Sequence, residues 1–175
     1  IGGAVLDIYS SGLALTATGL PITRPVAAGI DGVIMVLGTI YIVFLSDSFF
    51  GVFQGFLITL GVPIAAWCGI MLADILLRRK DYDEGDLYRP RGRYGDVPVV
   101  PMAILVIGSL VGWGLVTNSY ADWLGWQGYL LDLGLGGREG DWAFANLGVL
   151  AALLISFVAT LVLQFRYVQA HEALP

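Results

Sequence analysis

Residues 49–77 read FFGVFQGFLITLGVPIAAWCGIMLADILL, a run that sets the class of the whole chain. From Phe49 to Ala73 it carries no charged side chain. A helix rises ~1.5 Å per residue, so about 20 apolar residues cross the ~30 Å hydrocarbon layer of a bilayer. The run exceeds that length and leaves room for tilt. Working outward, four more stretches meet or approach it. They are 2–20, closed by Pro21 and Pro25; 26–45, closed by Ser46-Asp47-Ser48; 97–116, with Pro98 and Pro101 in its opening turns; and 142–168. The composition agrees: of 175 residues, 57% are hydrophobic and 13% charged, and the mean hydropathy is +0.79. Soluble domains lie nearer ~45–50% apolar and ~25% charged. One core of this size cannot hide so much apolar surface, which excludes a soluble enzyme and a disordered tail. The expected class is an all-α membrane protein with five transmembrane helices.

The charges are segregated rather than spread. Arg24, the cluster Arg78, Arg79, Lys80, Arg89, Arg91 and Arg93, and Arg166 fall on one side of the five expected spans. The other side holds Arg138 with Asp47, Asp122, Asp132, Glu139 and Asp141. The positive-inside rule then places the 78–96 loop and the C-terminus in the cytoplasm, with the chain in an inner (plasma) membrane. Segment 118–141 carries Tyr120, Trp123, Trp126 and Tyr129 among leucines, rings that favour the headgroup region, so it is expected along the outer interface. Its tail, Gly134-Leu135-Gly136-Gly137, lacks the strand before it and the Gly-Lys-Ser/Thr after it that a phosphate loop needs, and reads as a flexible loop.

No stretch has the basic stripe that nucleic acid requires. One cysteine, Cys68, and one histidine, His171, exclude an internal disulfide and a His- or Cys-based metal or catalytic cluster. No enzymatic activity and no resident cofactor are expected. The chain opens on Ile1 inside an apolar stretch, without a signal peptide's basic region and cleavage site. The expectation is therefore the C-terminal portion of a longer membrane protein, whose N-terminal helices are partners to these.

An ionisable group within a span costs ~2.5–3.5 kcal/mol on insertion scales and is a functional candidate by default. Gly3, Asp7, Ser10, Ser11 and Ala14 recur at helical spacing and make a small, polar stripe on the first span. A carboxylate with hydroxyls one turn away offers hard oxygen ligands for a small cation or a protonatable relay. The same stripe also suits a helix–helix contact. Asp31 is expected to pair with Arg24 at the same membrane end. Asp74 precedes Arg78 by four residues, the spacing of an ion pair, here at the cytoplasmic rim. Pro63, two residues after Gly61, removes a backbone donor in mid-span and frees a carbonyl, the kind of break that transporters use as a gating hinge. Trp67 and Gln54 on that span would line a path for a planar solute, or pack. Gly51-x-x-x-Gly55 and Gly108-x-x-x-Gly112 read as close helix crossings.

The stretch from Gly61 to Tyr94 resembles the nucleobase:cation symporter-1 family. The residues concerned are Pro63-Ile64-Ala65-Ala66-Trp67-Cys68-Gly69, Asp74, Arg78-Arg79, Asp86-Leu87-Tyr88 and Gly92-Arg93-Tyr94. Tyr9-Ser10-Ser11-Gly12-Leu13 is similar to a Tyr-Ser-x-x-Leu run in that family's eighth helix. The resemblance covers the whole chain as helices eight to twelve of a twelve-helix fold built on two inverted five-helix repeats. It implies import of a nucleobase or related heterocycle, such as cytosine, a purine or allantoin, by alternating access coupled to Na⁺ or H⁺. Gly3, Asp7 and Trp67 would then face the substrate path, Asp7, Ser10 and Ser11 would couple the cation, and Gly61 with Pro63 would gate. The chain departs from the family where a substrate-binding Asn is common and Gly3 stands, and where Ile75 replaces an aromatic. The competing expectation is a non-transporting multi-span subunit that packs against larger partners.

Overall fold

The computed structural model describes residues 2–17, 22–46, 48–87, 89, 92, 94, 97–119 and 122–172, without the side chains of 4, 17, 84, 87, 122, 171 and 172. Among these residues it is all-helical, with no strand. The elements are α1 (Gly2–Ala17), α2 (Arg24–Leu45), α3 (Phe49–Leu77), the single turn α4 (Glu84–Leu87), α5 (Val99–Gly114), α6 (Asp141–Phe144) and α7 (Gly148–Glu172). Three of them, α2, α3 and α7, are long and apolar enough to cross a membrane, which suits a membrane-embedded chain. The other two expected spans are helices of 16 residues, α1 and α5, each about 24 Å long at the α-helical rise. Leu20 and Pro21, at the end of the first expected span, lie outside the described residues, as do Ile1, Asp47, Tyr88, Arg91, Arg93 and Tyr120.

Helix ends follow local chemistry. α2 starts with Thr23 as N-cap and Pro25 in its first turn, where a missing N–H costs nothing, and the Ala27 amide donates to the Thr23 carbonyl at 3.0 Å. At the start of α3, Ser48 Oγ accepts from the Gly51 amide at 3.3 Å. α3 then runs for 29 residues, uninterrupted at Pro63.

The chain divides into two compact units, Ile1–Val52 and Phe53–Pro175. In the first, α1 packs against α2, with Gly12 against the backbone of Ala28. In the second, α3, α5 and α7 share a core of Val62, Ala66, Val116 and Ala152, with Ile58, Leu105, Trp113 and Val149 packed on it. The closest crossing is α5 on α7. A Cβ at Gly108 would fall onto Ser156 Oγ, and one at Gly112 would come within 3.0 Å of Val62, Ala152 and the Gly148 carbonyl. Gly108-x-x-x-Gly112 thus meets the small series Gly148, Ala152 and Ser156 on α7. Gly55 differs from the expected helix crossing. It is buried against the side chains of Asn118 and Leu124 in the chain that follows α5.

That following chain is folded rather than slack. The Gly128 and Leu130 amides donate to the Trp113 and Gly114 carbonyls at 2.9 Å each, satisfying the end of α5. Single turns at Asp122–Leu124 and Leu131–Leu133 lead into a tight return in which the Leu135 and Gly137 amides share the Leu131 carbonyl. Gly134, Gly136 and Gly137 all take positive φ there, so the expected flexible glycine tail is a hydrogen-bonded turn. Trp123, Trp126, Trp142 and Phe144 leave much of their rings exposed.

Candidate functional site

Three polar constellations stand out, one in the first unit and two in the second. In the first unit, Ser11 Oγ donates to Asp31 Oδ2 at 2.8 Å and also lies 3.2 Å from the Ile8 carbonyl. Both residues line an apolar groove of about 360 Å³ with Ala14, Leu15 and Ala27. This splits the expected stripe on α1. Ser11 turns to α2, while Gly3, Asp7 and Ser10 are exposed. The expected partner of Asp31 is also replaced. Arg24 and Asp31 are two helical turns apart, a rise of about 10 Å, whereas the Ser11 hydroxyl arrives across the helix contact.

The second constellation grows from Pro63. A proline has no N–H, so the carbonyl four residues earlier, that of Thr59, loses its helical donor. Inside a bilayer such a group must be satisfied by a neighbour. Trp113 of α5 does this: its indole Nε1 donates to the Thr59 carbonyl at 2.9 Å. The same Trp113 ring stands edge-on to Trp126, with centroids 5.5 Å apart.

The Thr59 side chain is a second hub. Its hydroxyl donates to the Gly55 carbonyl at 2.8 Å and accepts from Gln127 Nε2 at 2.8 Å and from Asn118 Nδ2 at 3.4 Å. Asn118 Nδ2 also donates to the Gly55 carbonyl at 2.9 Å. Asn118 is 6% exposed and Gln127 2%. Next to this node, Thr117 donates from its amide to Asn146 Oδ1 and from its hydroxyl to the Ala143 carbonyl, tying the chain just after α5 to α6 and the turn before α7.

The third constellation lies at the end of α3. Asp74 Oδ2 accepts from Arg78 Nε at 2.8 Å and from the Tyr82 hydroxyl at 2.5 Å. The Arg78 guanidinium lies 3.9 Å from the centre of the Tyr82 ring and 5.6 Å from that of Tyr94, and these rings meet edge-on at 5.2 Å. Tyr94 in turn accepts from the Asp83 amide at 3.2 Å. Partial burial and then the hydrogen bond and charge of Asp74 push the Tyr82 phenol up to about 12. Burial pulls the Arg78 guanidinium down, but the Asp74 hydrogen bond and charge, with Tyr82, outweigh it, and its pKa is raised.

Of the remaining candidates, Trp67 is 56% exposed, and Gly61 and Pro63 are half-buried, with Gly61 in ordinary contact distance of Val149. The structure therefore brings Asp74 and Arg78 together, and pairs Ser11 with Asp31 rather than with Asp7. Sequence reasoning passed over Thr59, Trp113, Asn118 and Gln127. The available signal was Pro63, which marks the Thr59 carbonyl as needing a donor. Among the described residues, no group of His, Cys, Asp or Glu side chains is placed to hold a metal. Comparison of the chain with protein-family models, curated proteins and solved structures finds no match.

Proposed function

We propose that this chain is part of a secondary active transporter that imports a nucleobase or related heterocycle with Na⁺ or H⁺ by alternating access. One observation carries the reading. The residues of the Gly61–Tyr94 stretch that bear the family resemblance include Asp74, Arg78 and Tyr94, and these stand together in space. An acid, a base and an aromatic spread along that stretch thus form one cluster where a long apolar helix meets a polar loop. In this reading α1, α2, α3, α5 and α7 are the five spans, belonging to a five-plus-five inverted repeat in an inner membrane. The 78–96 loop and the C-terminus are cytoplasmic. Alternating access asks helix ends to hold in one state and part in another, and a carboxylate shared by an arginine and a phenol suits such a contact. Asp7 and Ser10 are the cation-coupling residues, with Gly3 and Trp67 on the solute path.

The exposure of Gly3, Asp7 and Ser10 on α1 favours a second reading, a non-transporting subunit whose stripe is an assembly surface. Uptake separates the two. The full natural protein, expressed in a host deficient in nucleobase uptake, is expected to accumulate labelled cytosine, a purine or allantoin, and Asp7→Ala is expected to abolish gradient-driven uptake. No accumulation of any of these over a range of pH and sodium would overturn transport. Unchanged uptake by the Asp7→Ala protein would overturn the role of Asp7.

A further inference from the structure

The Thr59 node leaves two acceptors over. Asn118 spends both protons of its amide, on the Gly55 carbonyl and on Thr59 Oγ1. Turning that amide over would set its oxygen against the Gly55 carbonyl, two acceptors face to face, so its orientation is fixed. Thr59 has one proton, given to Gly55, and its oxygen receives both amides. The result is that Asn118 Oδ1 and Gln127 Oε1, on side chains more than nine-tenths buried, make no hydrogen bond within the protein. A buried carbonyl oxygen without a donor is costly, and native proteins satisfy such groups.

The surplus defines the guest. Two acceptor oxygens stand against a single uncommitted donor, the second N–H of Gln127 Nε2, and such a balance does not suit an anion. Two neutral oxygens also fall well short of the ~6–8 oxygen ligands that a hard cation such as Ca²⁺ takes. What fits is a small neutral donor. We propose that Asn118 Oδ1 and Gln127 Oε1 form an internal hydration site, where bound water donates to both side chains and completes the polar staple between α3 and the chain following α5. The adjoining wall is Leu124. Its Cδ1 and Asn118 Oδ1 both lie within 3.0 Å of where a Gly55 Cβ would stand, so the glycine is what lets Leu124 and Asn118 pack side by side on α3. The second unit supplies a contrast. Leu131, as buried as Leu124, lines an open apolar pocket of about 250 Å³ with Leu115, Leu135 and Trp142, whose lining offers no buried polar side chain to hold a water.

Hydroxyl-radical footprinting of the full protein in nanodiscs, in heavy-oxygen water, tests this directly. Radicals formed at a bound water mark the side chains beside it even where bulk solvent does not reach. Leu124 is expected to take up label while Leu131 does not, and Asn118→Leu and Gln127→Leu are each expected to reduce or abolish the Leu124 signal with Leu131 still silent. An unlabelled Leu124 in the unaltered protein overturns the proposal without any variant. So does labelling of both leucines in the unaltered protein, which means bulk access, or a Leu124 signal that both variants retain. Suppression of that signal by sodium, relative to choline, would show an ion in place of water and would overturn it as well.

Discussion

Trp113→Phe should cost far more in the natural chain than in a chain carrying Pro63→Ala. With Pro63 present, the indole supplies the donor to the Thr59 carbonyl that the helix cannot, at 2.9 Å. Phenylalanine keeps an aromatic ring beside Trp126 but has no N–H, so the carbonyl is orphaned, at about 1–3 kcal/mol. Pro63→Ala restores an N–H four residues beyond that carbonyl, in a helix that is already continuous. A carbonyl oxygen accepts two donors, so the alanine amide and the indole coexist and Pro63→Ala by itself is tolerated. In its background, Trp113→Phe loses only indole packing, a loss common to both backgrounds that cancels in a double-mutant cycle. The expected coupling between the two positions is therefore about 1–3 kcal/mol, the value of the orphaned group. The assay is unfolding of the four proteins in mixed micelles of a mild detergent and dodecyl sulfate, followed by loss of helical circular dichroism. An equal cost of Trp113→Phe beside proline and beside alanine would refute the assignment of the indole as the substitute donor.

Three further outcomes are expected. Gly55→Ala places a Cβ 2.8 Å from Asn118 Oδ1 and 3.0 Å from Leu124, so one of them must move, at about 1–3 kcal/mol in the same unfolding assay; a neutral result contradicts the close approach. Gly112→Leu should separate α5 from α7, because even a single Cβ there meets Val62, Ala152 and the Gly148 carbonyl; proteolysis within 118–141 should then accelerate, and an unchanged rate argues against that crossing. Tyr82 should ionise near 12 when the phenolate absorbance of the protein is compared with that of Tyr82→Phe. In Asp74→Asn the value should fall toward the ordinary ~10 yet stay above it, because burial persists; no fall would remove Asp74 as a cause. The sign follows from proton binding. Tyr82 holds its proton further up in the folded protein than in the unfolded chain, so its contribution to stability is complete below ~10 and is lost as the pH rises to about 12.

What the sequence made legible is what a single helix determines by itself. The limits of α3 follow from hydropathy between Ser48 and Arg78, because length and apolarity are properties of the run alone. Asp74 and Arg78 are neighbours on one helix face, and four-residue spacing suffices to pair them. The Gly108 and Gly112 pair announces a close crossing, although nothing in it names α7 as the other side. Asp31 shows where this reasoning stops. On its own helix the available cation is Arg24, two turns away, and the group that binds it, Ser11, lies 20 residues earlier on α1. Tyr82 and Tyr94 likewise read as loop residues until the chain folds them around Arg78.

Pro63 joins the two kinds of knowledge. Its meaning in sequence is a missing donor, and elementary helix geometry already assigns the loss to the Thr59 carbonyl. The chain answers it from 54 residues on, with an indole that no periodicity singles out, and gathers Asn118 and Gln127 onto the hydroxyl of the same threonine from 59 and 68 residues on. The Thr59 carbonyl that Pro63 is expected to leave free is thus taken, and the residue that bears it carries three side chains from elsewhere in the chain. A bend of α3 at Pro63 that moved Thr59 away from α5 would give up the Trp113 hydrogen bond. The other end of the helix is held too, since the Asp74 and Arg78 side chains are only 18% and 13% exposed and the Tyr82 hydroxyl donates to the same carboxylate, so contacts from beyond α3 fix it both at Thr59 and at Asp74.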